Sequence, residues 1–273
     1  MAGGGKKLDA EKIAADLVEQ SSAVERQVRR AVKSVIVDQN YAATKQLIAE
    51  SLNQLQTSIS NTVPVLIRQA FDDGDELAAK FLDDLKTVTP ETLLAPLSDV
   101  EAVLSVVTDL NMAVASSINN ARSQTFRTID LVANRETLRA VTRTATGRSE
   151  SLKVRVEQAK NILNAQGISN YIDKRGRRWA LTDYLEMRLA TDTRKAVTEG
   201  AVMRYTTAGI QYVQVSRHAD ACPVCQQYEG EIARLDGGYD QYTTGGYVEP
   251  PFHPRCRHVL APYQPSLSPL FEV

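Results

Sequence analysis

All three cysteines (Cys222, Cys225, Cys256) and all three histidines (His218, His253, His258) of this 273-residue chain lie between positions 218 and 258. Seven of the ten prolines and five of the fourteen glycines also lie beyond residue 220. Upstream the pattern reverses. Between Gly5 and Gly74 there is no glycine and one proline, Pro64, and no proline occurs from 97 to 222. Proline and glycine break helices and shape turns. The two parts of the chain therefore follow different rules: long helices first, then a turn-rich module dependent on a few special side chains.

The helical reading rests on spacing. Val24, Val28, Val32 and Val35, then Ile48, Leu52, Leu55 and Ile59, recur at intervals of three and four, which places each set on one stripe of a helix. Val103, Val107, Leu110, Val114 and Ile118 continue the pattern. Start signals are expected at Asp75, ahead of Leu77, Phe81, Leu82 and Leu85. Others fall at Thr89-Pro90-Glu91 and at the Ser98-Asp99-Val100-Glu101 capping box. Ala, Ser, Thr and Gln at inner positions predict thin, closely packed helices. Thr146-Gly147 reads as a break, and a further helix is expected over about 150–165. Tyr171 to Trp179 reads as a hairpin around Gly176. Thr182 is expected to cap a helix running to about Gly200 or beyond, and Ile210 to Val215 alternates as a strand. The expected fold is mainly α, with a long-helix N-terminal region followed by a small α+β C-terminal module carrying a Cys/His cluster. The expected boundaries are a flexible tail at 1–8, a helical region at 9–147 and the α+β module at 148–273.

Composition narrows function by exclusion. At 43% hydrophobic and 24% charged residues the chain is globular, and no apolar run reaches the roughly 18 residues needed to cross a bilayer. The N-terminus carries no apolar signal-peptide core, so synthesis in the cytoplasm and no membrane partner are expected. Net charge is -1 overall, yet Arg122 to Arg178 holds 13 basic and 5 acidic residues, a local +8 against -9 elsewhere. That stretch, and the hairpin residues Lys174, Arg175, Arg177 and Arg178 in particular, are the expected contacts if DNA is bound. The competing reading is a solvated helix face with i,i+4 pairs.

The chemistry concentrates in Cys222-Pro223-Val224-Cys225 and His253-Pro254-Arg255-Cys256. Two pairs with the same two-residue gap offer four soft or borderline donors, the set that suits tetrahedral Zn2+. Cys222, Cys225, His253 and Cys256 are the expected ligands. His258 or His218 could replace His253, which has the better spacing. Four protein ligands close the shell, so such a zinc is structural. Two metal-free readings stand beside it: thiols packed as small apolar groups, and disulfide or redox chemistry, which three cysteines and a cytosolic setting disfavour. A zinc deaminase needs a His-x-Glu before its Cys pair, and none exists here. A metal-dependent hydrolase would need an open metal site, for which His218-Ala219-Asp220 is a weak substitute.

Residues from about Trp179 to Tyr263 resemble the phage Mu F-like minor head protein family, the portal-associated head morphogenesis proteins. The likeness is carried by Ala190-Thr191-Asp192-Thr193, by Gly209 with Tyr212 to Val215, and by Asp220-Ala221-Cys222-Pro223-Val224-Cys225 with Gly230. Pro250-Pro251-Phe252-His253-Pro254-Arg255-Cys256-Arg257 closes it. Ala190 and Asp192 depart from the Arg and Glu usual in the family. The resemblance implies a structural minor capsid protein in the virion, at the capsid interior or portal vertex, in multiple copies. Its implied partners are the portal or major capsid protein and packaged DNA, and its implied role is in head assembly, packaging or delivery rather than catalysis. The alternatives are a zinc-braced nucleic-acid-binding module and a metal-dependent hydrolase.

Overall fold

A computed structural model describes residues 9–38, 40–85, 100–146, 154, 170–172 and 177–265. Three long helices come first: α1 (Asp9–Asp38), α2 (Tyr41–Leu85) and α3 (Val100–Thr146). A two-stranded antiparallel hairpin follows, β1 (Asn170–Ile172) and β2 (Arg178–Ala180), and leads into helix α4 (Leu181–Thr207). Then come β3 (Tyr212–Val215), the one-turn helix α5 (Pro223–Gln226), β4 (Ile232–Arg234) and β5 (Leu260–Tyr263). β3 is the centre of an antiparallel three-stranded sheet in the order β4-β3-β5. The expected mainly α chain with a small α+β module is what the fold shows.

The chain divides into two compact units: residues 15–61 with 111–186, and residues 1–14 with 62–110 and 187–273. In the first, the predicted stripes are core apart from Val24, which is half-buried. Val28, Val32, Val35, Ile48, Leu52, Leu55, Ile59, Val114 and Ile118 are all buried. The thin packing expected from the small polar residues has a specific form. Ser21, Ser51, Ser117, Thr125 and Thr128 are buried or nearly so, and each hydroxyl donates to the carbonyl four residues earlier. The helices thus supply backbone acceptors for their own buried hydroxyls.

In the second unit α2 and α4 approach at two glycines. A Cβ on Gly74 would lie 1.9 Å from the Val197 carbonyl oxygen, and one on Gly200 would lie 2.1 Å from that of Phe71. Only glycine permits this contact. This also corrects the expected helix start at Asp75. α2 runs unbroken through Pro64 and Gly74 to Leu85. Asp75 instead forms a two-pronged ion pair with Arg204 of α4, one arm being Nη2 to Oδ2 at 2.9 Å. The expected cap at Thr182 is corrected as well. α4 begins at Leu181, and the Thr182 hydroxyl donates at 2.7 Å to Glu25 of α1. The start signals at 89–91 and 98, and the helix at 150–165, lie outside the described residues, save Val154, which is helical.

α4 ends in a Schellman turn. Gly209, at φ 72°, donates to Thr206 O, and Ile210 donates to Tyr205 O. The reversal sends the chain directly into β3. Ala78 and Leu82 of α2, Ala201 and Tyr205 of α4, and Val213, Val215 and Leu260 of the sheet form one buried cluster. Tyr205 is its largest member, and its hydroxyl donates at 3.0 Å to the Leu260 carbonyl. Burial raises the pKa of that hydroxyl, so it stays a donor. This helix-on-sheet core fixes the base from which the Cys/His loops project.

Candidate metal centre

The two ligand pairs sit on two turns closed by the same backbone hydrogen bond. The Cys225 N–H donates to Cys222 O at 2.9 Å, and the Cys256 N–H donates to His253 O at 3.0 Å. Each turn closes on itself, so its two side chains leave on the same side. In the first turn Pro223 opens the one-turn helix α5. In the second, Arg255 takes a left-handed φ of 65°.

The turns meet. The His253 Nε2 lies 3.2 Å from Cys222 Sγ and 3.0 Å from Cys225 Sγ, and Cys225 Sγ lies 3.7 Å from Cys256 Sγ. The Cys256 Sγ is in turn 3.6 Å from Nδ1 of His258. Two groups of three donors result, Cys222–Cys225–His253 and Cys225–Cys256–His258, with Cys225 common to both. A tetrahedral zinc with bonds of about 2.3 Å to sulfur and about 2.0–2.1 Å to nitrogen has edges of about 3.8 Å between sulfurs and about 3.5 Å between sulfur and nitrogen. The observed separations within each group lie within about 0.5 Å of those edges, and the donor set is soft. The residues present could hold such an ion.

Environment separates the thiols. Burial pushes Cys225 up to about 12, with the neighbouring Cys256 and Cys222 adding to the shift. The Cys222 thiol is lowered, chiefly by the backbone N–H of Cys225. A cation would therefore have its largest effect on Cys225, which is otherwise held protonated. Phe252, next to His253, stacks on Tyr228 with centroids 4.4 Å apart, and its ring centre lies 6.0 Å from that of His258.

The surroundings tie the two turns together. Glu229 accepts from the backbone N–H of His218 at 2.6 Å and lies 3.0 Å from His258 Nε2. These two contacts, His258 first, hold its carboxyl below the usual range. The His218 imidazole lies 3.1 Å from Ser216 Oγ and packs edge-on against His258 at 4.6 Å. Burial and then the His258 charge lower its pKa. His218 thus belongs to the framework and to neither donor group. Arg257 pairs with Asp220 at 2.5 Å, bridging the residue after the second turn to one two positions before the first. Sequence spacing favoured His253 over His258 and gave no sign of Glu229, whose role appears only once β3 and β5 are paired.

Of the expected DNA-contacting residues, Lys174 and Arg175 lie outside the described residues. Arg178 pairs through its backbone with Ile172, and the exposed Arg177 lies with its guanidinium 5.3 Å from the Trp179 ring centre. In the family-like helix segment, the Thr191 hydroxyl donates to Met187 O. Asp192 is buried beside Arg188, with burial raising its carboxyl pKa and Arg188 opposing the rise.

These features define a class: a long-helix protein whose C-terminal part is a small sheet capped by a metal-competent Cys/His cluster. The family model described as phage minor capsid protein 2 matches residues 39–270, and the chain belongs to that family. No curated protein and no solved structure gives a significant match. The likeness first visible over 179–263 thus extends upstream through α2 and α3, for which no sequence motif could be named, while α1 lies outside the matched residues. Membership gives the protein a structural role in the phage head, among other head components. No helix among the described residues is long and apolar enough to cross a membrane.

Proposed function

We propose that the protein is built into the head near the portal, on the capsid interior, in several copies, and acts in head assembly and in DNA packaging or delivery. The observation that carries this reading is the family match across 39–270, which spans α2, α3 and the Cys/His module. The long helices supply extended surface for docking, and the module supplies a rigid terminal element. Structural Zn2+ is part of the proposal, held by Cys222, Cys225, Cys256 and His253. When bound, the ion would add a direct cross-link to the Glu229–His258 and Arg257–Asp220 ties between the two turns. The chain's own residues orient the donors: Pro254 O receives His253 Nδ1 at 2.7 Å and turns Nε2 toward the sulfurs. Cross-linking mass spectrometry on purified virions tests the location. Cross-links from this chain to the portal are expected, and recovery of the protein only from the soluble fraction of infected cells would contradict it.

Contact with packaged DNA through Lys174, Arg175, Arg177 and Arg178 is the finer part of the same reading, supported by the local +8. Its measure is duplex binding with a logarithmic salt slope of about 0.9 per phosphate engaged. No binding at about 50 mM salt would remove it.

A further inference from the structure

The donor cluster contains one nitrogen more than a tetrahedral ion needs alongside three thiolates. Both imidazoles are arranged as ligands. In each, one ring nitrogen is tied to an oxygen and the other is turned to cysteine sulfur. His253 has Nδ1 at 2.7 Å from Pro254 O and Nε2 facing Cys222 and Cys225. His258 has Nε2 at 3.0 Å from the Glu229 carboxylate and Nδ1 at 3.6 Å from Cys256. A carboxylate can only accept, so Nε2 of His258 carries the proton and Nδ1 presents its lone pair. That is the arrangement by which a carboxylate orients a metal-bound histidine and strengthens it as a donor. Burial differs too: His258 is 6% exposed, whereas His253 is partly exposed.

We infer that His258 is a metal ligand, oriented by Glu229, which makes Cys225–Cys256–His258 a working donor group beside Cys222–Cys225–His253. The inference rests on the proposed metal binding and deepens it by naming a ligand that sequence spacing placed second. Cys225 belongs to both donor groups and is the fixed point. The outer imidazole, on the His253 turn, and the inner one, just before β5, are the alternative partners. Glu229 is a positioning residue: it touches no metal and acts through the His258 ring.

The test uses the full chain loaded with Zn2+ alone and, in parallel, with 113Cd2+. His253→Ala is expected to retain one metal per chain by native mass spectrometry, and His253→Ala with His258→Ala to lose it. Glu229→Gln is expected to weaken metal affinity, measured by chelator competition, by about 10- to 100-fold. That loss should vanish in the His258→Ala background, which a purely structural effect of Glu229 would not do. Because a variant can fail to fold, the 113Cd-loaded natural sequence is read directly by NMR. Scalar coupling from cadmium to the His258 ring is expected. Coupling confined to His253, or metal lost from His253→Ala and held unchanged by His258→Ala, would overturn the inference. Metal-free natural protein after loading would remove the metal reading together with this one, an outcome distinct from metal bound through His253 alone.

Discussion

In the unit of residues 15–61 and 111–186, order is distributed. Val28, Val32, Ile48, Leu52, Leu55 and Ile59 each bury an aliphatic side chain, and Ser or Thr hydroxyls close on their own helices. No single residue there is decisive, since each buried aliphatic contributes about 1.5–3 kcal/mol. In residues 212–263, order is concentrated. The sheet strands are three or four residues long, and the turns at 222–225 and 253–256 meet through the side chains of the donor cluster. The contrast teaches where each region fails. The helices should weaken gradually under substitution, and the module should be lost at a few points.

The sharpest break in that comparison is Cys225→Ser, which removes the donor shared by both groups. Metal should be released and amide exchange over 216–263 should accelerate strongly, while protection in α1 persists. Equal loss throughout would show that order in the helices depends on the cluster. Gly200→Ala comes next. Its methyl group would enter the Phe71 carbonyl at 2.1 Å, so the helices must separate, and a loss of about 3 kcal/mol or more is expected in denaturant unfolding. An unchanged midpoint would mean that the close crossing is not maintained in solution. Tyr205→Phe leaves the buried Leu260 carbonyl without its donor and should cost about 1–3 kcal/mol. The smallest effect is a pH dependence in the loop after β4. Arg234 holds the Asp236 carboxyl down to about 2 from its ordinary 3.8. The folded form therefore binds this proton less readily than the unfolded one. The stabilisation is complete above 3.8 and is lost as pH falls through about 2. The Asp236 carboxyl shift, followed by NMR, should titrate near 2, and a midpoint near 3.8 would show the pair is not formed.

How much of this was legible differs between the regions for the same reason. A buried stripe repeats at the helix period, so Val28 to Ile59 could be read residue by residue. The hairpin at 170–180 and the strand before Val215 carried equally local signals. What sequence could not supply were contacts between distant segments. Gly74 reads as a helix breaker until α4 lies against it, and Asp75 reads as a cap until Arg204 arrives. Glu25 receiving Thr182 is a contact across 157 positions. The cluster shows both sides of this. The equal gaps of Cys222–Cys225 and His253–Cys256 pointed to two matching turns, and both turns carry the same backbone hydrogen bond. The partner of His258 depended on the pairing of β3 with β5, which no spacing rule reveals.

Whether one ion pins the two distant turns is read by native mass spectrometry of the full chain purified without added chelator. One zinc per chain is expected, with the three thiols unreactive toward alkylating reagents until the metal is stripped. A metal-free mass with all three cysteines alkylated at the rate of free thiols would contradict it.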